Sequence, residues 1–170
     1  MEGIVIERYK IDYSLKNGLG HPSVSLYLTG CDKPIKCEGC HNYELQKESE
    51  NDYDIKNIKD KLKFYIEKSK KYNSKLYVSF LGGEPLTDYN KNITLEISCW
   101  LKNNYQEVIN VLYSWRNPNG IQDEYIEFID YGVLGDYEKD KHVEDTIPAS
   151  NNQIIYDFNK KEELEPIKLK

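Results

Sequence analysis

At 170 residues the chain has the size of one ordinary domain, long enough to bury a core without disulfide staples and too short for a second independent domain. Its 23 basic and 29 acidic side chains leave a net charge of −6, and the lysines are scattered among Asp and Glu instead of forming a basic block, which argues against nucleic acid as the main partner. The opening dozen residues carry Glu2, Glu7, Arg8 and Lys10 and no long apolar run, so neither a signal peptide nor a membrane span is expected, and a cytoplasmic location is. In a reducing compartment clustered cysteines are more often metal ligands or catalytic groups than disulfides.

In chain order, residues 2–13 alternate apolar and polar side chains (Ile4, Ile6, Tyr9, Ile11, Tyr13), which predicts an opening strand or strand pair with an irregularity near Arg8. Residues 17–22, Asn-Gly-Leu-Gly-His-Pro, predict a turn-rich link, because Gly tolerates positive φ and Pro ends regular structure. A core strand is predicted over 23–28, with Val24, Leu26 and Leu28 on one face and Tyr27 on the other. The period then lengthens: Ile55, Ile58, Leu62, Tyr65 and Ile66 predict a helix over about 54–71 with its lysines facing solvent.

A second strand is predicted over 76–81, cut off by Gly82-Gly83-Glu84-Pro85. Ile93, Ile97, Trp100 and Leu101 mark a second helix, and 108–115 a third strand. After a turn at 117–120, Ile121, Tyr125 and Phe128 predict a short helix over 121–129, followed by a fourth strand at 131–134 that ends at Gly135-Asp136. Residues 137–170 read as an irregular charged segment with one candidate strand at 153–158. Alternation of this kind builds an α/β fold with mostly parallel strands and right-handed crossovers. A closed (β/α) barrel needs at least ~200 residues, so the chain is expected to form a shortened, partial barrel or a short doubly wound sheet, with ligand sites at the carboxyl ends of the strands.

Two constellations follow strands and so belong on that edge. The loop 31–40 carries Cys31, Cys37 and Cys40, three soft thiolates suited to zinc, copper(I) or an iron–sulfur centre. A structural zinc ion wants a fourth ligand, for which the nearby candidate is His41, awkwardly adjacent to Cys40. A four-iron cluster also wants four thiolates; with three, one iron is left open, which suits a cluster that holds a substrate or cofactor directly. In the second constellation, Gly82 and Gly83 let a ligand approach the backbone, and the Glu84 carboxylate can accept hydrogen bonds from an ammonium group. The plain alternative is a Gly-Gly turn with a solvent-facing Glu84. Asn42, after the cysteine loop, and Ser114, at the end of the third strand, are further cofactor-binding candidates, and either also fits as a cap.

Three cysteines ending in Cys-x-x-Cys after the first core strand, with Gly-Gly-Glu after the second, resemble the radical S-adenosylmethionine superfamily. The resemblance implies one partial (β/α) barrel domain over 1–170, and a [4Fe–4S] cluster whose open iron chelates the amino and carboxylate groups of S-adenosylmethionine. Gly82, Gly83 and Glu84 would hold its ammonium, and the cleaved sulfonium would yield methionine and a 5′-deoxyadenosyl radical, with no catalytic side chain beyond cluster and cofactor. Within the superfamily, Asn17-Gly18-Leu19-Gly20, Thr29-Gly30-Cys31, Cys37-Glu38-Gly39-Cys40-His41-Asn42, the stretch from Tyr131 to Tyr137 and Ser150-Asn151-Asn152-Gln153 are similar to elements of the activating proteins of anaerobic (class III) ribonucleotide reductase. That implies the large reductase subunit, a glycyl-radical enzyme, as partner, and flavodoxin or ferredoxin as electron donor.

The sequence departs from that family in two places. Five residues separate Cys31 from Cys37 where these activases have three, and Gly135-Asp136 reverses their Asp-Gly order. The chain's size favours a macromolecular substrate, because a partial barrel has too few elements to enclose a radical and a docked protein would supply the lid. Another glycyl-radical enzyme, a small-molecule substrate and a zinc-binding interaction module using Cys31, Cys37, Cys40 and His41 are the alternatives. Cys99, among Ile97, Trp100 and Leu101, reads as a small core hydrophobe; His21 and His142 read as exposed, and the 15 tyrosines as filler.

Overall fold

The computed structural model describes residues 8–169. The part of the predicted opening strand before Arg8 lies outside them. The first strand is β1 (Tyr9–Gly18), which forms an antiparallel hairpin with β2 (His21–Leu28), Tyr9 opposite Leu28 and Gly18 opposite His21. The expected link at 17–22 is thus only a two-residue turn. Leu19 and Gly20 both take positive φ, 55° and 81°, as the tightest hairpin turns require, and Leu19 tolerates it with its side chain buried. Arg8 lies in a bend just before β1, and within the hairpin the register shifts between Ser14 and Gly18.

Beyond β2 the strands β3 (Tyr77–Gly82), β4 (Ile109–Ser114) and β5 (Tyr131–Leu134) add in parallel. The crossovers run through α1 (Ile55–Lys71), α2 (Lys91–Asn104) and the four-residue α3 (Asp123–Ile126). Asp54 caps α1, accepting from the Asn57 N–H at 2.9 Å. The sheet is completed by antiparallel β7 (Ile154–Asp157) and β8 (Glu162–Leu164), in the order β1-β2-β3-β4-β5-β7-β8. Half of the six strand pairings are therefore antiparallel, where mostly parallel ones were expected. The segment after β5 contains no helix long enough to carry the chain back across the sheet, so it returns as a hairpin-like excursion. Residues 137–170 are also more regular than expected: besides β7 and β8 they form β6 (Thr146–Ile147) paired with β9 (Ile167–Lys168).

Both long helices pack on the same face. Ile58, Leu62 and Ile66 of α1 and Ile93, Ile97 and Leu101 of α2 form one core with Val24, Leu26, Leu28, Val78, Phe80, Leu112 and Leu134 from the strands. The opposite face carries a smaller cluster, in which Leu19, Val111, Val133 and Ile155 pack with Ile147. A doubly wound sheet has helices on both faces; here the second face is left to the C-terminal segment. Near β1 that face is polar. The Asn17 side-chain amide donates to Ser25 Oγ and the Tyr27 hydroxyl, both at 2.9 Å, while its backbone carbonyl accepts from Ser79 Oγ at 2.7 Å and the Tyr113 hydroxyl at 2.9 Å. One residue thus bridges β1, β2, β3 and β4. Burial pushes the Tyr113 hydroxyl far above its ordinary value, which keeps it a neutral donor. No helix among the described residues is long and apolar enough to cross a membrane.

Candidate metal centre

The cysteine loop begins where β2 ends, and its first residues are fixed by backbone bonds. Gly30 N–H donates to the Leu45 carbonyl at 2.8 Å and Cys31 N–H to that of Gln46 at 3.0 Å, so the chain leaves β2, makes the loop and returns to flank its own start. On the other side, Gly83 N–H donates to the Leu28 carbonyl and Glu84 N–H to that of Gly30, both at 2.7 Å. Buried Asn90 ties the same two segments, its side-chain amide donating to the Thr29 and Glu84 carbonyls at 2.9 Å each. The Gly82-Gly83-Glu84 turn and the start of the cysteine loop are one hydrogen-bonded unit.

This contact gives the two glycines a reason the sequence does not show. A Cβ on Gly83 would lie 2.1 Å from the Gly30 carbonyl oxygen, and one on Gly82 2.5 Å from that of Leu28. Gly82 also sits at φ +115°, a conformation L side chains rarely adopt. The side chains are absent because two backbones touch, whether or not a ligand also approaches.

Cys31, Cys37 and Cys40 are free thiols, each half-buried, and all three line one cleft of about 460 Å³. Gly82, Gly83, Asn42 and Ser114 line it too, so seven of the eight residues chosen from sequence meet at one site. Burial pushes the Cys31 thiol up, against the pull of the Lys33 backbone and the Lys36 charge. Among the described residues, no three His, Cys, Asp or Glu side chains gather around one point as a single metal ion requires. A four-iron cube differs in that each thiolate meets a different iron. Cys31, Cys37 and Cys40 line one cleft and offer three thiolates to such a cube, and His41 lines the same cleft with its ring packed on Tyr137, centroids 4.8 Å apart.

Glu84 is the eighth residue, and its expected role is corrected. Its side chain is fully buried and does not reach the cleft. Instead the carboxylate accepts from Leu86 N–H at 3.0 Å, Trp115 N–H at 3.1 Å and the Ser114 hydroxyl at 2.9 Å, with Arg116 Nη1 2.9 Å away. Burial pushes its carboxyl up to about 7, against the opposing pull of Arg116 and these donors. The plain alternative of a solvent-facing Glu84 fails as well. Ser114 is committed to this carboxylate and accepts from Arg116 N–H at 3.1 Å, so its hydroxyl is already engaged at the cleft wall. Asn42 precedes a single turn of 3₁₀ helix without capping it through its side chain.

Sequence reasoning missed the anchors of the long Cys31–Cys37 spacer. Asp32 accepts from the Trp115 indole N–H at 3.1 Å and pairs with Arg116, which itself reaches Glu84, so the chain Asp32–Arg116–Glu84 locks the cysteine loop to the end of β4. Lys33 pairs with Asp136 at 3.4 Å, just past β5. The Ser-x-Asn-Gln stretch holds that acidic residue in place: Asn152 donates to the Asp136 carbonyl, Gln153 to that of Gly135, and Ser150 to that of Glu138. The signal was there as Asp32 and Lys33 beside the cysteines, but their partners lie 84 and 103 positions away, and only the parallel sheet brings them near.

Residues 137–149 cross over the cleft, and Tyr137, His142, Ile147 and Pro148 line it. The His142 ring packs within 6.0 Å of both His41 and Tyr137, and Asp145 pairs with Lys16 at 3.6 Å. His142 and His21 are both exposed, as expected, and His21 stacks on Tyr77. Cys99 is not a core residue: it lies half-buried on α2, accepts from the Asn103 amide at 3.3 Å, and borders a separate shallow groove with Trp100 and Phe128.

Searches of curated proteins and of solved structures find no match to the chain. The family model described as a 4Fe-4S single cluster domain does match, over residues 16–156, a span that includes all three thiols, the Gly-Gly turn, the Asp32–Arg116–Glu84 chain and the whole crossing segment. The chain belongs to this 4Fe-4S single cluster domain family.

Proposed function

We propose that the chain is a radical S-adenosylmethionine activase, a shortened (β/α) barrel that cleaves S-adenosylmethionine reductively and generates a glycyl radical on anaerobic ribonucleotide reductase. The observation that carries the reading is the convergence of Cys31, Cys37 and Cys40 with the Gly82-Gly83 backbone in one cleft at the carboxyl ends of parallel strands. The placement of both long helices on one face of the sheet supports the barrel-type architecture. The cleft volume lies within the range of small-molecule pockets, roughly 300–1,000 Å³.

Cys31, Cys37 and Cys40 would hold a [4Fe–4S] cluster with one open iron, which would supply the electron for cleavage of the sulfonium. The protein's part is positioning. The backbone of Gly82 and Gly83 forms the cleft wall beside the cysteines, Glu84 stiffens that wall from behind through Ser114, Trp115 and Arg116, and Asp32 fixes the loop to the same arginine. The segment 137–149 excludes part of the solvent from the opposite side. A docked reductase would complete the enclosure, and a flavodoxin or ferredoxin would deliver the electron.

The crossing segment also favours a second reading. Because part of the cover comes from the chain itself, a small molecule or another glycyl-radical enzyme is a more reasonable substrate than for an entirely open site.

The test is electron paramagnetic resonance on the anaerobically reconstituted, reduced protein with and without S-adenosylmethionine, followed by cleavage assays with and without the reductase. The expected result is a cluster signal that changes on addition of S-adenosylmethionine, and a glycyl doublet on the reductase. A cluster signal indifferent to S-adenosylmethionine removes the radical reading. Equal cleavage with and without the reductase and no glycyl signal removes the reductase as partner.

A further inference from the structure

We infer that the outer edge of β1 and the flank of α1 beside it form a docking surface for an extended acidic segment of another protein, added to the sheet as a further strand. The inference is independent of the function proposed above. β1 is the outermost strand of the seven-stranded sheet and pairs with β2 alone among the described residues. From Lys10 to Ser14 one side of its backbone is thus offered to a partner. Beyond that the Ser14 hydroxyl takes the Lys16 and Asn17 N–H groups, both at 3.1 Å, and the edge ends. A run of that length is an ordinary strand, about 17 Å. α1 lies alongside it: the Asn57 amide donates to the Tyr9 hydroxyl at 2.8 Å, and the Tyr65 ring stacks on Tyr13 with centroids 6.3 Å apart. Helical spacing puts Lys61, Phe64, Lys68 and Tyr72 on the same flank as Asn57 and Tyr65. Four of the six large apolar side chains left exposed among the described residues belong to β1, α1 and its C-cap: Tyr13, Leu15, Phe64 and Tyr72.

The charges choose the occupant. Elsewhere around α1, Lys56, Lys59, Lys63 and Lys70 pair with Asp60, Glu96, Glu67 and Glu107. Lys61 and Lys68 are exposed and meet no carboxylate among the described residues. A strand laid along β1 therefore faces two unneutralised ammonium groups beside exposed aromatic rings, which suits acidic side chains at its alternate positions. A second copy of this chain does not supply them. Between Lys10 and Ser14 its β1 carries one carboxylate, Asp12, on the face away from Tyr13 and paired with Lys10 at 2.9 Å. Its own Lys61 and Lys68 would also meet those of the first copy. None of Tyr13, Lys61, Phe64, Tyr65 and Lys68 lines the cysteine cleft, so the segment docks without closing it.

The test is fluorescence anisotropy of the full chain with two labelled heptapeptides, Glu-Val-Glu-Val-Glu-Val-Glu and the equally charged Glu-Pro-Glu-Pro-Glu-Pro-Glu, which lacks N–H groups that a strand needs. The valine peptide is expected to bind and to slow amide exchange within 10–14, and K61E/K68E to bind it about tenfold more weakly. K56E/K63E changes the net charge equally on the outer face of α1 and is expected within about twofold of wild type. No binding of the valine peptide overturns the inference. Equal binding of the proline peptide reduces the surface to charge attraction and overturns it, as does a K61E/K68E affinity equal to that of K56E/K63E. Self-association in sedimentation that Tyr13→Asp abolishes gives the edge to a second copy, and tighter binding of a thymidine dodecamer through Lys61 and Lys68 gives the flank to a nucleic acid; either overturns it.

Discussion

Gly83→Ala is the substitution that separates a glycine kept for the fold from one kept for a ligand. The new methyl group would sit 2.1 Å from the Gly30 carbonyl oxygen, about 0.9 Å inside the 3.0 Å that real Cβ contacts respect, with the Leu45 carbonyl oxygen at 2.8 Å on its other side. All these neighbours are backbone, so no side chain can swing away. Relief requires the turn after β3 to part from the cysteine loop, which breaks the Gly83–Leu28 and Glu84–Gly30 hydrogen bonds. Two buried backbone bonds left unmade, each worth ~1–3 kcal/mol, put the loss at about 3 kcal/mol. With an m-value of ~2 kcal/mol/M, the urea midpoint falls by about 1.5 M, in protein that has never been given iron or S-adenosylmethionine. Gly120→Ala is the control, because its Cβ meets nothing within 4 Å; it is expected within ~0.5 kcal/mol of wild type. An iron-free Gly83→Ala protein as stable as that control refutes the close-approach argument and returns the glycine to the ligand.

Glu84 gives a pH signature. Its folded carboxyl titrates near 7 against an ordinary 4.5, so between those values the folded state holds a proton the unfolded state has released, and stability from this group falls as pH rises through the window, by as much as about 3 kcal/mol. Glu84→Gln is expected to flatten that slope between pH 4.5 and 7 in denaturation curves; an unaltered slope refutes it. Arg116→Met removes the joint between Asp32 and Glu84 and is expected to lower cluster retention on desalting several-fold while secondary structure by circular dichroism stays near wild type; retention equal to wild type refutes the anchoring role. Serine at Cys31, Cys37 or Cys40 is expected to abolish stable iron binding in iron and sulfide analysis, whereas Cys99→Ser leaves it intact, and the reverse order excludes the assigned ligand set.

The elements that were legible in the sequence are those with enough length to show a period. Ile58, Leu62 and Ile66 announce α1 and are all buried, and the predicted boundary falls at the Asp54 cap. The alternation in Val24, Leu26 and Leu28 likewise gives β2, and with it the site edge. Of the strands after residue 137, β7 stood out as the candidate at 153–158, whereas β6, β8 and β9 were illegible because they are two or three residues long, too short for any alternation to show. The hairpin turn hid behind Leu19, a residue type that seldom takes positive φ. At the site, the ligand types and their edge followed from spacing and strand order. The direction of Glu84 did not, because nothing local to Gly82-Gly83-Glu84-Pro85 says that Arg116 and Ser114 wait behind it. Long-range charge pairs of this kind are a property of the sheet order, and a single sequence shows only one end of each.

The segment over the cleft leaves β5 and re-enters at β7, which are sheet neighbours, with Leu134 directly opposite Ile154. Its two ends are thus clamped together by a strand pairing, and everything between 135 and 153 is an excursion whose length the sheet does not measure. Lengthening such a loop costs little, since closure entropy grows only with the logarithm of its size. Cys31, Cys37, Cys40 and the Gly-Gly turn sit on other connections, and the excursion meets the cysteine loop through the Lys33–Asp136 pair and the packing of Tyr137 and His142 on His41. On the function proposed above, the cluster ligands and part of the cleft lining would thus be carried by separate stretches of chain, and exchanging residues 137–149 would alter what enters the cleft while Cys31, Cys37 and Cys40 stay in place.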